Sequence, residues 1–251
     1  MLPLDEAGTG TALVLLHAGI ADRSMWSAHL APLAAAGYRV VAPDLPGFGE
    51  SPEGPGPLAP WEDVLRLLDD LGIRDAALVG DSFGAAVALR VAVVAPERVR
   101  ALALISARAD ELPVSERLRA VWAAEEDAAE RGDIDGAVQA VVDGWTLPDA
   151  PPELRDHVAA MQRRALELQL AAGEVEEAPD PLEADPDWPA RLRMPVLVAA
   201  GEHDMPDCRE AVPVYAGKLP HARAELIPGA GHLAPLETPE AFRALLLDFL
   251  G

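Results

Sequence analysis

The chain has 251 residues, 50 % of them hydrophobic. That supports one sizeable core and excludes a disordered chain. Its 42 acidic and 20 basic side chains leave a net charge of −22, a field that repels phosphate backbones and anionic membrane surfaces, so neither nucleic acid nor a membrane is an expected partner. No apolar run approaches the roughly 18–20 residues needed to span a bilayer. The opening MLPLDEAGTG has neither the positive charge nor the apolar stretch of a signal peptide. A single cysteine, Cys208, rules out an internal disulfide framework and makes a reducing cytoplasm the expected location.

Short apolar runs alternate with longer helical patterns along the chain. Ala12–Leu16, Val40–Ala42, Ala76–Val79, Ala101–Ile105, Val196–Ala200 and Ala222–Ile227 read as strands, and the continuous apolar ones suit a parallel sheet buried on both faces. The stretch Ser51–Pro60 is proline-rich and reads as a loop. Trp61, Val64, Leu65, Leu68 and Leu71 recur at helical spacing, with Gly72 as the stop. Ser82–Ala95 is apolar almost all round except for Arg90, so its helix should be deeply packed, and Phe242, Leu245, Leu246 and Phe249 form a stripe on a last helix. Such alternation predicts a mostly parallel sheet with helices on both faces.

One region interrupts this pattern. From Ala109 to Pro189 three helical stripes succeed one another with no strand between them: Leu118, Val121 and Trp122; then Ile134 to Trp145; then Leu154 to Leu168. The stretch Glu174–Asp187 follows, acidic and proline-bearing, and reads as a loop or loosely held rim. The expected organisation is an α/β core from residues 1–108 and 190–251, divided before its penultimate strand by a helical insertion at 109–189.

Four strand ends carry candidate chemistry. Leu15-Leu16-His17-Ala18-Gly19 closes one strand and opens a loop that can lend a backbone N–H to an oxyanion, best from Gly19 and otherwise from Ile20. His17 reads as a packed residue supporting that loop rather than as a base. Gly80-Asp81-Ser82-Phe83-Gly84 stands between a strand and a helix, where a sharp turn strains its central residue and needs small neighbours. It makes Ser82 a candidate nucleophile and the Phe83 N–H a second oxyanion donor. Asp81 fails as the nucleophile because Val79 and Phe83 would then flank the turn. Gly201-Glu202-His203-Asp204 offers an acid at a strand end, best Asp204, with Glu202 and Asp207 as rivals. Pro228-Gly229-Ala230-Gly231-His232 presents a histidine on a glycine-rich turn. The order serine, acid, histidine is the one this kind of turn accompanies. No Cys/His spacing suggests a metal site and no loop cradles a phosphate, so no cofactor is expected.

The motifs LLHAG, VVAPDLPGFGES, VGDSFGAAVAL, APERVRALALIS, PVLVAAGEHD and IPGAGHLAPLETPEAF resemble the α/β-hydrolase superfamily over nearly the whole chain, and within it the small capped bacterial esterases, enol-lactonases and cofactor-free haloperoxidases. The resemblance implies that Ser82, Asp204 and His232 form a catalytic triad, that the Gly19 and Phe83 amides form the oxyanion hole, and that residues 109–189 cap the active site. The expected reaction is hydrolysis of a carboxylic ester or lactone; the alternatives are perhydrolysis, carbon–carbon bond or thioester hydrolysis on the same triad, or binding of a small molecule without turnover. Members often have Gly where Ala18 stands and His where Asp81 stands, and their two leading strands are shortened here, which predicts a trimmed sheet edge. Asp81 is expected to raise the pKa of His232. Trp26, Trp122, Trp145, Met161 and Met205 are candidate pocket residues. The cap arginines Arg117, Arg119, Arg155, Arg163 and Arg164 leave an anionic lactone open. The chain is expected to be a monomer or a homodimer.

Overall fold

The strands expected from the sequence all form, and a seventh precedes them. In the computed structural model, which describes all 251 residues, they are β1 (Leu4–Ala7), β2 (Thr11–Leu16), β3 (Tyr38–Pro43), β4 (Ala76–Asp81), β5 (Val99–Ile105), β6 (Val196–Gly201) and β7 (Ala222–Ile227). They form one sheet in the order β1-β3-β2-β4-β5-β6-β7. Only β1 runs antiparallel to its neighbour, pairing Leu4 with Pro43 and Ala7 with Val40. Its sequence, LDEA, is too short and too polar to stand out as a strand, and pairing with β3 is what makes it one. A single leading strand therefore stands where the resemblance implies two.

The helices are α1 (Ser27–Ala35), α2 (Pro60–Asp70), α3 (Phe83–Val94), α4 (Glu116–Glu130), α5 (Ile134–Trp145), α6 (Pro152–Ala172), α7 (Pro181–Ala184), α8 (Trp188–Arg191), α9 (Pro206–Lys218), α10 (Ala234–Glu237) and α11 (Pro239–Leu250). None is long and apolar enough to cross a membrane. The sheet divides the core in two, and strand periodicity decides which side chain goes where. Val14 and Leu16 of β2, Ala76 and Leu78 of β4 and Leu102 and Leu104 of β5 pack on one face with α2, α3 and α9. Leu13 and Leu15, Ala77 and Val79, and Ala103 and Ile105 pack on the other with Leu33 of α1 and Phe242 and Leu246 of α11. Every residue of β4 and β6 is buried.

The segment between β5 and β6 contains helices and no strand. Ser115 caps α4 by accepting from the Leu118 N–H, and Asp133 caps α5 by accepting from the Gly136 N–H. Each cap satisfies an amide that the first helical turn leaves unpaired. The acidic stretch after α6 is better held than its composition suggests. Leu58 and Glu177 form a β-bridge, α7 lies within the stretch, and Asp180 pairs with Arg90 of α3 at 2.5 Å.

Ahead of the site, the turn after β3 is organised by Asp44, which is fully buried. Its carboxylate accepts from the backbone of Arg23 and of Glu50, both at 2.8 Å, and also pairs with the Arg23 guanidinium.

Candidate active site

The turn between β4 and α3 explains its own sequence. Ser82 has φ 52° and ψ −111°, a conformation rare for a residue with a side chain. A Cβ on Gly80 would lie 2.1 Å from the Gly84 carbonyl oxygen, and one on Gly84 would lie 2.2 Å from that of Leu16. Both positions therefore exclude any larger residue, because strand, turn and the neighbouring strand β2 are in direct backbone contact. The Ser82 N–H is held by the Ile105 carbonyl at 2.8 Å. This leaves the Ser82 side chain facing a cavity of about 470 Å³ between the sheet edge and the helices that follow β5.

Gly19 and Phe83 line the same cavity, and a Cβ on Gly19 would touch Phe83 Cβ at 3.2 Å. The backbone N–H groups of Gly19 and Phe83 donate to no protein acceptor. His17 lies behind them, fully buried. Its Nδ1 donates to the Ala18 carbonyl at 2.9 Å and its Nε2 accepts from the Leu45 N–H at 2.9 Å. Burial holds its pKa below the ordinary value, so the ring is a neutral strut between two loops.

His232 reaches the cavity from the turn after β7. Its Nδ1 bonds Asp204 Oδ1 at 2.8 Å, with the histidine side chain 5 % exposed and the carboxylate fully buried. The same Asp204 oxygen accepts from the Met205 N–H at 2.6 Å, while Oδ2 is buried without a partner. Burial opposes protonation of the imidazole, but the adjacent Asp204 carboxylate outweighs it and lifts the His232 pKa well above 6.5. The rivals of Asp204 are engaged elsewhere: Glu202 accepts from the Gly229 N–H at 3.1 Å, and Asp207 accepts from the backbone and hydroxyl of Ser115. Ser82 and His232 share the cavity, and no hydrogen bond joins their side chains. Such bonds are often long before substrate arrives.

The sequence offers Trp145 as a pocket residue but does not show that it packs on the imidazole, nor the contacts that Ser106, Glu237 and Cys208 make around it. The Trp145 ring lies 4.2 Å from that of His232, centroid to centroid. The Ser106 hydroxyl donates to the His232 carbonyl at 3.1 Å. Glu237 accepts from the Gly231 N–H at 2.7 Å and from Leu147 N–H at 3.0 Å, tying the histidine turn to the helical segment. Cys208 Sγ stands 3.8 Å from His232 Nδ1, and burial pushes its thiol up to about 11. Together Asp204, Cys208 and His232 bring three potential metal-ligating atoms within 4.8 Å of one another, a grouping that spacing along the chain conceals. Asp81, fully buried, has no hydrogen-bond partner on either oxygen. Burial drives its pKa well above 3.8, which favours the neutral acid. Its proximity to His232 is thus a weaker charge than the sequence alone implies.

The pocket expectations divide. Trp122 and Trp145 line the Ser82 cavity. Trp145 and Met205 line a second cavity of about 660 Å³ on the other side of His232. Trp26 and Met161 line neither, a correction to the sequence reading. Trp26 is fully buried against His29 and Phe242, and the Met161 sulfur accepts from the Asp22 N–H and the Ser24 hydroxyl. Of the five arginines of the 109–189 segment, Arg155 and Arg163 pair with Asp143 and Asp135, Arg164 with Glu167, and Arg119 with the Val114 carbonyl. Arg117 lines the second cavity, and none of the five lines the first.

A sheet of this order, with a strained serine turn on its fourth strand, defines an α/β hydrolase. A family model of the alpha/beta hydrolase fold matches residues 11–239, and the chain belongs to that family. It is 35 % identical, over 96 % of its length, to the dihydrolipoyllysine-residue acetyltransferase component of the acetoin cleaving system of Pseudomonas putida, of which the match covers 64 %. It is 39 % identical, over 47 % of its length, to the 2-hydroxymuconate semialdehyde hydrolase of Pseudomonas sp. (strain CF600), of which the match covers 44 %. The chain thus spans less than two thirds of either relative. Among solved structures, a thermophilic esterase from Thermogutta terrifontis is similar at TM-score 0.80 and 27 % identity, covering 99 % of this chain and 92 % of the other. The enol-lactonase of Burkholderia xenovorans LB400 is similar at TM-score 0.76 and 25 % identity, covering 99 % and 96 %.

Proposed function

We propose that the protein is a serine hydrolase of a carboxylic ester or lactone, with Ser82 as nucleophile, His232 as general base and acid, and Asp204 as the group that orients the imidazole. The observation that carries this reading is the meeting of Ser82, on its strained turn, with the His232–Asp204 pair at one cavity. Ser82 Oγ attacks the carbonyl carbon as His232 Nε2 takes its proton. Asp204 keeps the Nδ1 tautomer in place and stabilises the imidazolium. The free Gly19 and Phe83 amides receive the charge that develops on the carbonyl oxygen. The imidazolium then returns its proton to the departing alcohol oxygen; in the second half the neutral imidazole takes a proton from the water that attacks the acyl carbonyl and passes it to Ser82 Oγ as the acyl–enzyme bond breaks. Residues 109–189 act as the cap, since Trp122, Glu125, Trp145 and Gln162 from that segment enclose the cavity.

The test is release of p-nitrophenol from acetate, butyrate and octanoate esters by wild type and Ser82→Ala. Loss of the nucleophile is expected to lower kcat by several orders of magnitude, on the order of 10⁴–10⁶. Equal rates in the two proteins would overturn the assignment. A second reading, carbon–carbon bond hydrolysis on the same three residues, is favoured by the relatedness to the semialdehyde hydrolase. A folded wild type inert towards esters and lactones but active on a vinylogous β-diketone acid would establish it instead.

A further inference from the structure

Two arginines line the Ser82 cavity, and they are in opposite electrostatic states. Arg90 is neutralised: its guanidinium donates to Asp180 at 2.5 Å and to the Ala86 carbonyl at 3.0 Å. Arg108 has no carboxylate within ion-pair distance, and its buried Nε has no hydrogen-bond partner. Nor is Arg108 a loose surface side chain. Its guanidinium carbon lies 5.4 Å above the ring centre of Trp122, another wall of the cavity. Its backbone carbonyl accepts from the Tyr215 hydroxyl at 2.7 Å, and it follows closely on Ile105, whose carbonyl holds the Ser82 N–H. A partly buried guanidinium with an unmet donor is costly unless something pairs with it. Stacking on an indole orients the fork without using its N–H groups.

The acids nearby do not serve as that partner. Asp207 feels the positive charge of Arg108, but its carboxylate is occupied by Ser115. Glu125 also lines the cavity, accepting from the Gln162 side chain at 3.2 Å, and burial raises its pKa, which reduces the negative charge it opposes to a ligand. Asp110 is exposed.

We propose that Arg108 is the recognition site for a carboxylate carried by the substrate, so that the protein prefers monoesters or lactones bearing a free carboxylate over neutral ones. The planar fork offers two parallel N–H donors to the two oxygens of a carboxylate. This deepens the proposed hydrolysis at Ser82 and rests on it for the reaction, though not for the binding.

The experiment compares kcat/KM for mono-p-nitrophenyl glutarate with that for p-nitrophenyl 5-methylhexanoate, a neutral ester of nearly the same shape. Wild type should favour the charged ester by roughly ten- to a hundredfold, the range of a charge-assisted hydrogen-bonded pair. The ratio should collapse towards one or below in Arg108→Gln and be partly restored in Arg108→Lys, which keeps the charge but not the plane. A wild-type ratio of one or less, or a ratio unchanged in Arg108→Gln, overturns the proposal. Because a ratio is read, any general loss of activity cancels. Binding of free glutarate, followed by tryptophan fluorescence, decides the matter independently of turnover: wild type should saturate and Arg108→Gln should not. If wild type hydrolyses neither ester yet binds glutarate through Arg108, the hydrolase reading fails and the carboxylate site stands. If it hydrolyses the neutral ester and binds no glutarate, the reverse holds.

Discussion

At the residue scale, the chemistry of His232 depends on the balance between burial and Asp204. A dry pocket alone depresses an imidazole pKa, as it does for His17; the same burial beside a carboxylate at 2.8 Å leaves His232 raised instead. A general base must be neutral to accept a proton, so activity should rise with pH through the His232 pKa, and the acid limb of kcat/KM should lie above pH 6.5. Replacing Asp204 with Asn removes the attraction and leaves the desolvation. The limb should then move to lower pH, while the plateau rate falls by roughly 10⁴ as the imidazole loses its orienting partner. A pH–rate profile of both proteins tests this; a limb that stays put on Asp204→Asn would sink the pairing. Asp81 illustrates the opposite outcome. With no carboxylate or amide partner, its burial drives the pKa well above 3.8 and weakens the charge it presents to His232.

At the element scale, the β4–α3 unit is the part most tightly specified. The helix is buried almost all round because it packs against the sheet, and the price of bringing it so close is that Gly80 and Gly84 admit no Cβ. Gly84→Ala is expected to destabilise by about 3 kcal/mol, the upper end of what overpacking usually costs, since the methyl would meet backbone that cannot move aside as a side chain can. Thermal unfolding measures it, and a Tm within error of wild type would show that strand and helix can separate at no cost. Helix α9 makes the converse point. Its buried residues, Asp207, Cys208, Ala211, Val212 and Tyr215, follow helical spacing, but Pro206 and Pro213 obscure the pattern in the sequence. Pro206 merely occupies the first turn, where its missing N–H has no partner to lose.

At the scale of the whole molecule, the helical segment and the sheet are coupled at the site itself. Glu237, on the short helix after the histidine turn, accepts from Gly231 on one side and Leu147 on the other. Glu237→Ala leaves both amides unpaired. It is expected to cost about 2 kcal/mol, or roughly 4–8 °C in Tm. It should also lower kcat more than it raises KM, because the turn presenting His232 loses its anchor. Calorimetry and steady-state kinetics on the variant check both effects, and unchanged values would mean that the segment and the turn hold their places independently. Trp145 adds to the coupling, standing between the two cavities that flank the imidazole.

The sequence by itself determined the mostly parallel sheet, the six strands that follow β1 and the positions of the serine turn and the histidine turn, because each is written in local chemistry: β-run periodicity, and glycines where backbone meets backbone. It also marked Asp204 over its neighbours. Tertiary structure alone decided what surrounds those groups. The edge strand β1 forms only through its pairing with β3. Trp26 and Met161, apolar and plausible for a pocket, go to the core because of which face of the chain turns inward. The state of an arginine is likewise not local. Nothing local separates the state of Arg90, the one charge on its apolar helix, from that of Arg108; only the arrival of Asp180, 90 positions from Arg90 along the chain, makes the one neutralised while the other is left unpaired.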